Sequence, residues 1–336
     1  MIKFGIAGMG IRGKLFASTL KQNNWACVAA ACDIDEKTCK KAAAQFGINV
    51  YPDVYSMLWN EKIDAVIIST PDFLHKEAVL AAVGMKLDIM IEKPFSTDLA
   101  EYREMTDEIK KSGIKCMIAF ENRWNPLYIE AKNRVSSKYF GDIVTINAAL
   151  NDTIVVPRNM LSWADNSSPA WFLFQHLLDL AFWITGKVPK NAFASCVRKK
   201  LISIGNNTYD AVSIIFTYMD GSMGTFTTNW VQAESYPTVA EVKFDIIGTN
   251  NTLNIHTDRQ MMTYACDDKF VYPRKLTVPL NGHLTAPPCY MLEYFIDCLR
   301  TDEIPMAGVD DGLINTLTIS AIHESLKTGK VVEIDV

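Results

Sequence analysis

The opening stretch leaves this chain few ways to fold. Residues 2–7, IKFGIA, form an apolar run broken only by Lys3 and Gly5; GMGIRG follows at 8–13, and residues 14–22 carry a helix-compatible pattern. A buried strand, a turn with three glycines and a helix in immediate succession is the context that gives a G-x-G-x-x-G pattern physical meaning. Gly8 permits the tight turn, Gly10 lets backbone approach a pyrophosphate, and Gly13 lets the helix lie close on the strand. Amide donors at the helix start, those of Ile11 and Arg12 among them, then face an anion. A second apolar run, 26–32, ends at Asp33, twenty residues beyond Gly13, where a carboxylate can accept both ribose hydroxyls of an adenosine. Three glycines alone also make an ordinary surface turn. Strand, turn, helix, strand and Asp33 together point to a dinucleotide site.

The pattern continues as strand and helix in alternation. Residues 35–46 have helical spacing closed by Gly47, 53–59 read as a short helix, and 63–69 are a nearly pure β-branched and apolar strand. A helix over 77–83, a strand at 87–91, a helix capped by Thr97 or Asp98 and running through 109, and a strand at 115–120 follow. This is the pattern of a doubly wound parallel sheet, in which ligands gather at the carboxyl ends of the strands. That rule selects Gly8 to Gly13, Asp33, Ser69, Thr70, Pro71, His75, Glu92, Lys93 and Arg123 as the residues expected around the cofactor. His75 also fits a helix N-terminal residue satisfied by local backbone. Lys93, between a buried strand and Pro94, has little room to reach solvent, although pairing with Glu92 would also account for it. Pro94 biases Lys93 toward extended geometry and can hold its own peptide cis.

At 336 residues the chain is too long for one comfortable core. Two domains are expected, a dinucleotide-binding domain over 1–121 and a second, substrate-binding domain over 122–336 whose C-terminal helix packs against the first. After Gly141 the crossover helices cease. Residues 143–149, 192–197, 208–218, 222–229, 241–248 and 252–257 read as strands separated by Gly, Asn and Asp turns, with Asp220 and Gly221 as a hairpin signal. A largely antiparallel open sheet follows, with one face for its own helices and the other available to another subunit. One helix interrupts it: Ser168 supplies the N-cap, Pro169 the first turn, and Gly186 the stop. Trp171, Phe172, Gln175, His176, Asp179 and Trp183 recur along it at spacings of three or four, on one face or adjoining faces. His176 with Asp179 can form an imidazole and its orienting carboxylate, or equally a histidine held at the edge of a core. Asp152, Arg158 and His283 are further pocket candidates on loops, and Trp124, Trp163, Trp171 and Phe172 suggest an aromatic surface suited to a sugar or cyclic ring.

A net charge of -5 gives no electrostatic case for nucleic acid, and the basic triplet Arg198, Lys199, Lys200 reads as a solvated strand end. No charged leader with an apolar core opens the sequence and no segment approaches eighteen continuous apolar residues, so a cytoplasmic protein with no membrane partner is expected. The eight cysteines form no C-x-x-C pair and read as reduced small hydrophobes, with no metal site expected.

These residues resemble the glucose-fructose oxidoreductase and inositol dehydrogenase (Gfo/Idh/MocA) family over essentially the whole chain. The resemblance rests on GMGIRG at 8–13, Asp33, ISTPDFLH at 68–75, EKP at 92–94, ENRWNP at 121–126, HLLD at 176–179, GTNNTL at 248–253 and SLKTGKVVEI at 325–334. It implies a Rossmann domain, a mostly antiparallel C-terminal sheet that forms a homodimer or homotetramer contact, and a small sugar, polyol or related substrate over a nicotinamide. It also implies that Lys93 and His176 are the active-site lysine and histidine. The family commonly carries an aspartate four residues before that histidine, and this chain has Phe172 there, which argues against a straightforward inositol dehydrogenase. The implied reaction is hydride transfer between NAD(H) and a carbinol carbon, with Lys93 and His176 sharing the hydroxyl proton. Asp33 favours NAD over NADP through repulsion of a 2'-phosphate. The alternatives are an NAD-dependent glycosidase or lyase that recycles its bound cofactor, and a non-catalytic dinucleotide- and ligand-binding sensor or scaffold.

Overall fold

The computed structural model describes residues 1–257, 264–266, 269–271, 278–280 and 283–335. They divide into two compact units, Met1–Trp124 with Leu276–Leu313, and Asn125–Lys275 with Ile314–Val336.

The first unit begins with β1 (Ile2–Ala7), α1 (Ile11–Leu20), β2 (Ala26–Cys32), α2 (Glu36–Phe46), β3 (Asn49–Tyr51) and α3 (Val54–Asn60), then β4 (Ala65–Ile68) and α4 (His75–Gly84). It continues through β5 (Asp88–Ile91), α5 (Leu99–Ser112), β6 (Cys116–Ile118) and a 3-10 turn, Glu121–Trp124. The sheet order is β3-β2-β1-β4-β5-β6 and every pairing is parallel. This is the doubly wound arrangement, with β1 and β4 flanking the point where strand order reverses. Local side chains and glycine stops close its helices. Asp35 accepts from the amides of Lys37 and Thr38, Gly47 ends α2 at φ +68°, and Asp98 accepts from the Glu101 amide at 2.9 Å. The strand β3 has no counterpart in the sequence reading. Three residues at a sheet edge, paired with Ala30 to Cys32, are too few to show a period. Phe4, Ile6, Val66, Ile67, Ile68, Ile89, Met90 and Ile91 are fully buried, as two covered faces require.

The second unit contains α6 (Pro126–Val135), β7 (Ile143–Thr153), a π-helical turn Val156–Met160, a 3-10 turn Ala164–Asn166, α7 (Pro169–Thr185), β8 (Pro189–Val197), α8 (Lys200–Ser203) and β9 (Ala211–Tyr218). It goes on with β10 (Met223–Gln232), β11 (Ala240–Gly248), β12 (Thr252–His256), β13 (Tyr264–Cys266) and β14 (Lys269–Val271). The chain then returns to the first unit with the hairpin β15 (Val278–Leu280) and β16 (His283–Thr285), and α9 (Pro287–Thr301). The first residues of α10 (Val309–Thr328) count with the first unit, and its remainder and β17 (Val332–Glu333) with the second. The helix starts ahead of Asp310 and Asp311, and the Asp311 carboxylate reaches back to accept from the Gly308 amide at 3.1 Å.

The large sheet of the second unit is ordered β12-β11-β7-β10-β9-β8-β17. Every pairing is antiparallel except β7 with β10. Alternation sets its faces: Val212, Ile214, Phe216, Phe226, Thr228 and Trp230 are buried, while Ser213, Ile215, Thr225 and Thr227 are exposed. The helix α7 packs on β7, β9 and β10. No helix among the described residues is long and apolar enough to cross a membrane.

Within the first unit, α9 lies against α1. Phe295 meets Phe4 at 6.3 Å between ring centres, the Thr19 hydroxyl reaches Cys289 Sγ at 3.3 Å, and the Leu284 amide donates to Gln22. His283, a pocket candidate expected on a loop, therefore groups with the first unit and lies exposed on the strand β16.

Candidate functional site

The glycine turn is fixed by what a side chain would strike. Gly8 has φ +89°, and a Cβ there would come within 2.7 Å of the Ser69 backbone. A Cβ on Gly13 would lie 2.0 Å from the Gly8 carbonyl oxygen, so α1 can approach β1 only with glycine at that position. Gly10 is different, because a Cβ there would meet nothing within 4 Å. It precedes α1 as its N-cap with no side-chain cap bond, and the first amides of the helix are left to other acceptors. Open space above unclaimed helix amides, at the switch point of a doubly wound sheet, fits a dinucleotide pyrophosphate.

The loops beside it are braced by side chains. Asp33, at the end of β2, accepts from the Met9 amide at 2.8 Å and the Asp35 amide at 2.9 Å, which ties the end of β2 to the glycine turn itself. The Ser69 hydroxyl donates to the Gly8 carbonyl at 2.8 Å, and Thr70 Oγ1 donates to the Leu74 carbonyl. Pro71 opens the turn whose carbonyl receives the Leu74 amide. His75 is buried, with Nε2 3.1 Å from the Thr70 carbonyl and Nδ1 3.4 Å from that of Phe95, and burial pushes its pKa down. Its ring thus lies between the turn after β4 and the turn after β5. Arg123 is likewise buried, within 3.4 Å of Asp311 and beside the Phe120 ring. Trp124 packs on Tyr294.

At the end of β5, Glu92 is buried and Lys93 half-buried, and the peptide between Lys93 and Pro94 is cis. Arg12, in the first turn of α1, donates from Nε to Glu92 Oε1 at 2.5 Å and from Nη2 to Glu121. Burial pushes the Lys93 ammonium below its ordinary pKa; Glu92 and Glu121 pull it back up, Arg12 adds to the lowering, and Asp72 opposes it. Sequence reasoning placed Arg12 at the phosphates by its position in the glycine motif. Its ion pairs reach across 80 and 109 residues of chain, beyond any local signal.

In the second unit, α7 begins as its sequence requires: the Ser168 hydroxyl accepts from the Trp171 amide at 3.1 Å, Pro169 occupies the first turn, and Gly186 ends the helix at φ +69°. His176 is half-buried and Asp179, one turn on, is buried. Phe172 lies one turn before His176, 6.0 Å from the Trp163 ring and 5.7 Å from that of Trp230. The position that holds a carboxylate in the implied family is therefore occupied by one member of an aromatic cluster. Trp171 stacks on His323, whose Nε2 lies 3.2 Å from the Ser168 hydroxyl; burial lowers His323 to about 4. His323 and Trp230 are the residues the sequence reading missed, both lying outside the motifs. Asp152, at the end of β7, is buried on the inward face, and Arg158, in the π-helical turn, pairs with Glu234 at 2.7 Å.

A family model described as an oxidoreductase family with an NAD-binding Rossmann fold matches residues 2–120, and a GFO/IDH/MocA C-terminal domain model matches residues 128–254. The chain is 22% identical to scyllo-inositol 2-dehydrogenase (NAD(+)) of Bacillus subtilis, over all of this chain and 97% of that protein. It is 21% identical to myo-inositol 2-dehydrogenase of Thermotoga maritima, over 99% of each. Among solved structures it superimposes on scyllo-inositol dehydrogenase of Lactobacillus casei with bound NAD(H) and scyllo-inositol at a TM-score of 0.85, with 20% identity over 99% of each chain. At these identities the structural likeness establishes the fold.

Proposed function

The chain belongs to the GFO/IDH/MocA family of NAD-binding oxidoreductases, and from that premise we propose that it transfers a hydride between NAD(H) and a carbinol carbon of a sugar, polyol or related cyclic substrate, with Lys93 and His176 handling the hydroxyl proton. The observation that carries this reading is the placement of Lys93, half-buried at the end of β5, on the carboxyl edge of the sheet that carries the glycine turn. Burial there lowers its pKa from the ordinary lysine value, the direction a proton-transfer role requires.

NAD, when bound, supplies the two-electron chemistry. The amides of Gly10 and of the first turn of α1 would hold its pyrophosphate, and Asp33 its adenosine ribose. Removing hydride from an alcohol requires the hydroxyl proton to leave, so a base must stand at the oxygen, and the same base returns the proton during reduction. His176 is the principal acid and base in this scheme. Lys93 relays the proton and, while charged, favours developing alkoxide character. Phe172, in place of the family carboxylate, gives the substrate an aromatic wall instead of an acceptor. This supports a ligand that presents a ring face there.

With NADH followed against a panel of inositols, aldoses, sugar acids and ketoses, Lys93→Ala and His176→Ala should each lower kcat/KM on the active substrate by about 10²–10⁴-fold. Unchanged turnover in both variants would sink the assignment.

A further inference from the structure

The proposed chemistry leaves Arg12 without a task. Its guanidinium is engaged on two sides, by Glu92 at 2.5 Å and by Glu121, and lies 5.1 Å from the centre of the Phe16 ring. Serving instead as a phosphate ligand would require it to leave two charge-assisted hydrogen bonds and strand the buried Glu92 carboxylate, both costly.

Glu92 immediately precedes Lys93, so a buried carboxylate is fixed beside the lysine by the chain itself. Glu121 comes from the turn after β6, the strand paired with β5. The charged groups that act on Lys93 are Glu92 on its own strand end, Glu121, Asp72 from the turn after β4, and Arg12 from α1. His75, on α4, is the neighbouring titratable ring, and burial lowers its pKa. Three carboxylates around one ammonium would hold it charged, since each favours the protonated form. A lysine held charged can polarise an alcohol but cannot relay its proton.

We propose that Arg12 is a positioning residue for Lys93: clamped between Glu92 and Glu121, its guanidinium fixes both carboxylates and offsets their charge, so that the lysine is free to exchange its proton. This rests on the proton-transfer role proposed for Lys93. It assigns to the side chain of the fifth residue of the glycine motif a function at the end of a strand two places away in the sheet, with no part for its guanidinium in gripping the dinucleotide.

The test reads Lys93 itself. In the full chain without cofactor, carbon-13 labelled lysine side chains are titrated by NMR, with the Lys93 signal assigned from Lys93→Arg. Arg12→Gln should raise the Lys93 midpoint by about one pH unit, a tenfold change in proton affinity. Glu121→Gln should lower it, and Arg12→Lys should return it close to that of the unaltered chain. A midpoint that stays put or falls in Arg12→Gln, with the fold intact by circular dichroism, would overturn the proposal. Should Arg12→Gln not fold, Glu121→Gln decides, because it keeps Arg12 anchored on Glu92, and an unmoved midpoint there is equally fatal. Failure of the proton-transfer reading would show separately, as unchanged turnover in Lys93→Ala with these midpoint shifts still present.

Discussion

The glycine turn of the first unit and the start of α7 in the second both place a helix N-terminus on a sheet, but they are built from different materials. The first is made of backbone: Gly8 and Gly13 are pressed against main-chain atoms, and Asp33 and Ser69 bond to the main chain of the turn. The second is made of side chains: Ser168, Trp171 and His323 form one cluster, and Trp163, Phe172 and Trp230 another. A backbone-built site suits a ligand whose shape never varies, such as a pyrophosphate. A side-chain-built region can be re-specified one residue at a time.

The sharpest way to break this contrast is a methyl group. Gly13→Ala should cost about 3 kcal/mol of stability, at the upper end of overpacking penalties, because the atom in the way is a main-chain oxygen. Gly10→Ala should leave stability within about 0.5 kcal/mol, since its space is open, while weakening NAD binding. Urea denaturation with NAD titration checks both; equal stabilities for the two variants would show that the turn is not backbone-limited.

The side-chain-built region should instead respond to pH. His323 is lowered by burial to about 4, so the unfolded chain binds a proton at higher pH than the native one. Its contribution is fully present above the unfolded value near 6.5 and is lost as pH falls toward 4, a loss of about 2–3 kcal/mol. Unfolding free energies measured across that window should show the slope, and His323→Gln should flatten it. A slope that survives the substitution would assign it to other groups.

The smallest effect sharpens the comparison from the cofactor side. Asp33 opposes a 2'-phosphate with about 4 kcal/mol at 4 Å and an effective dielectric of about 20, which solvent at this half-buried site reduces. Asp33→Ser should therefore shift the NADP to NAD ratio of kcat/KM by roughly 10-fold toward NADP. Because the same carboxylate accepts from the Met9 amide, a small loss of NAD affinity should accompany it. An unchanged ratio, or an NADP preference already present in the unaltered chain, would remove Asp33 from cofactor choice.

What was legible in the sequence was local. The N-caps at Asp98 and Ser168 and the stops at Gly47 and Gly186 are each set by residues within one helical turn of each other. The six strands expected in the second half all formed, each to within three residues at its ends apart from the longer β7. The parallel pairing of β7 with β10, inside an otherwise antiparallel sheet, was not legible, because strand direction depends on the path of the intervening chain. The roles of individual site residues divided in the same way. Gly8 and Gly13 do structurally what their spacing implies, whereas Asp33, His75, Arg12 and Arg123 are engaged by partners that spacing could not reveal.

By itself the sequence determined a doubly wound domain with a glycine turn shaped for a dinucleotide, since a strand, a tight turn and a helix start are specified by neighbouring residues and short-range sterics. Only the tertiary structure decided where the charges went. Arg12 meets Glu121 across 109 residues and Ser168 meets His323 across 155, and no local preference selects such partners. They are chosen by packing, which brings buried charged and polar groups together because leaving any one of them unpaired away from water costs more than the contact itself returns.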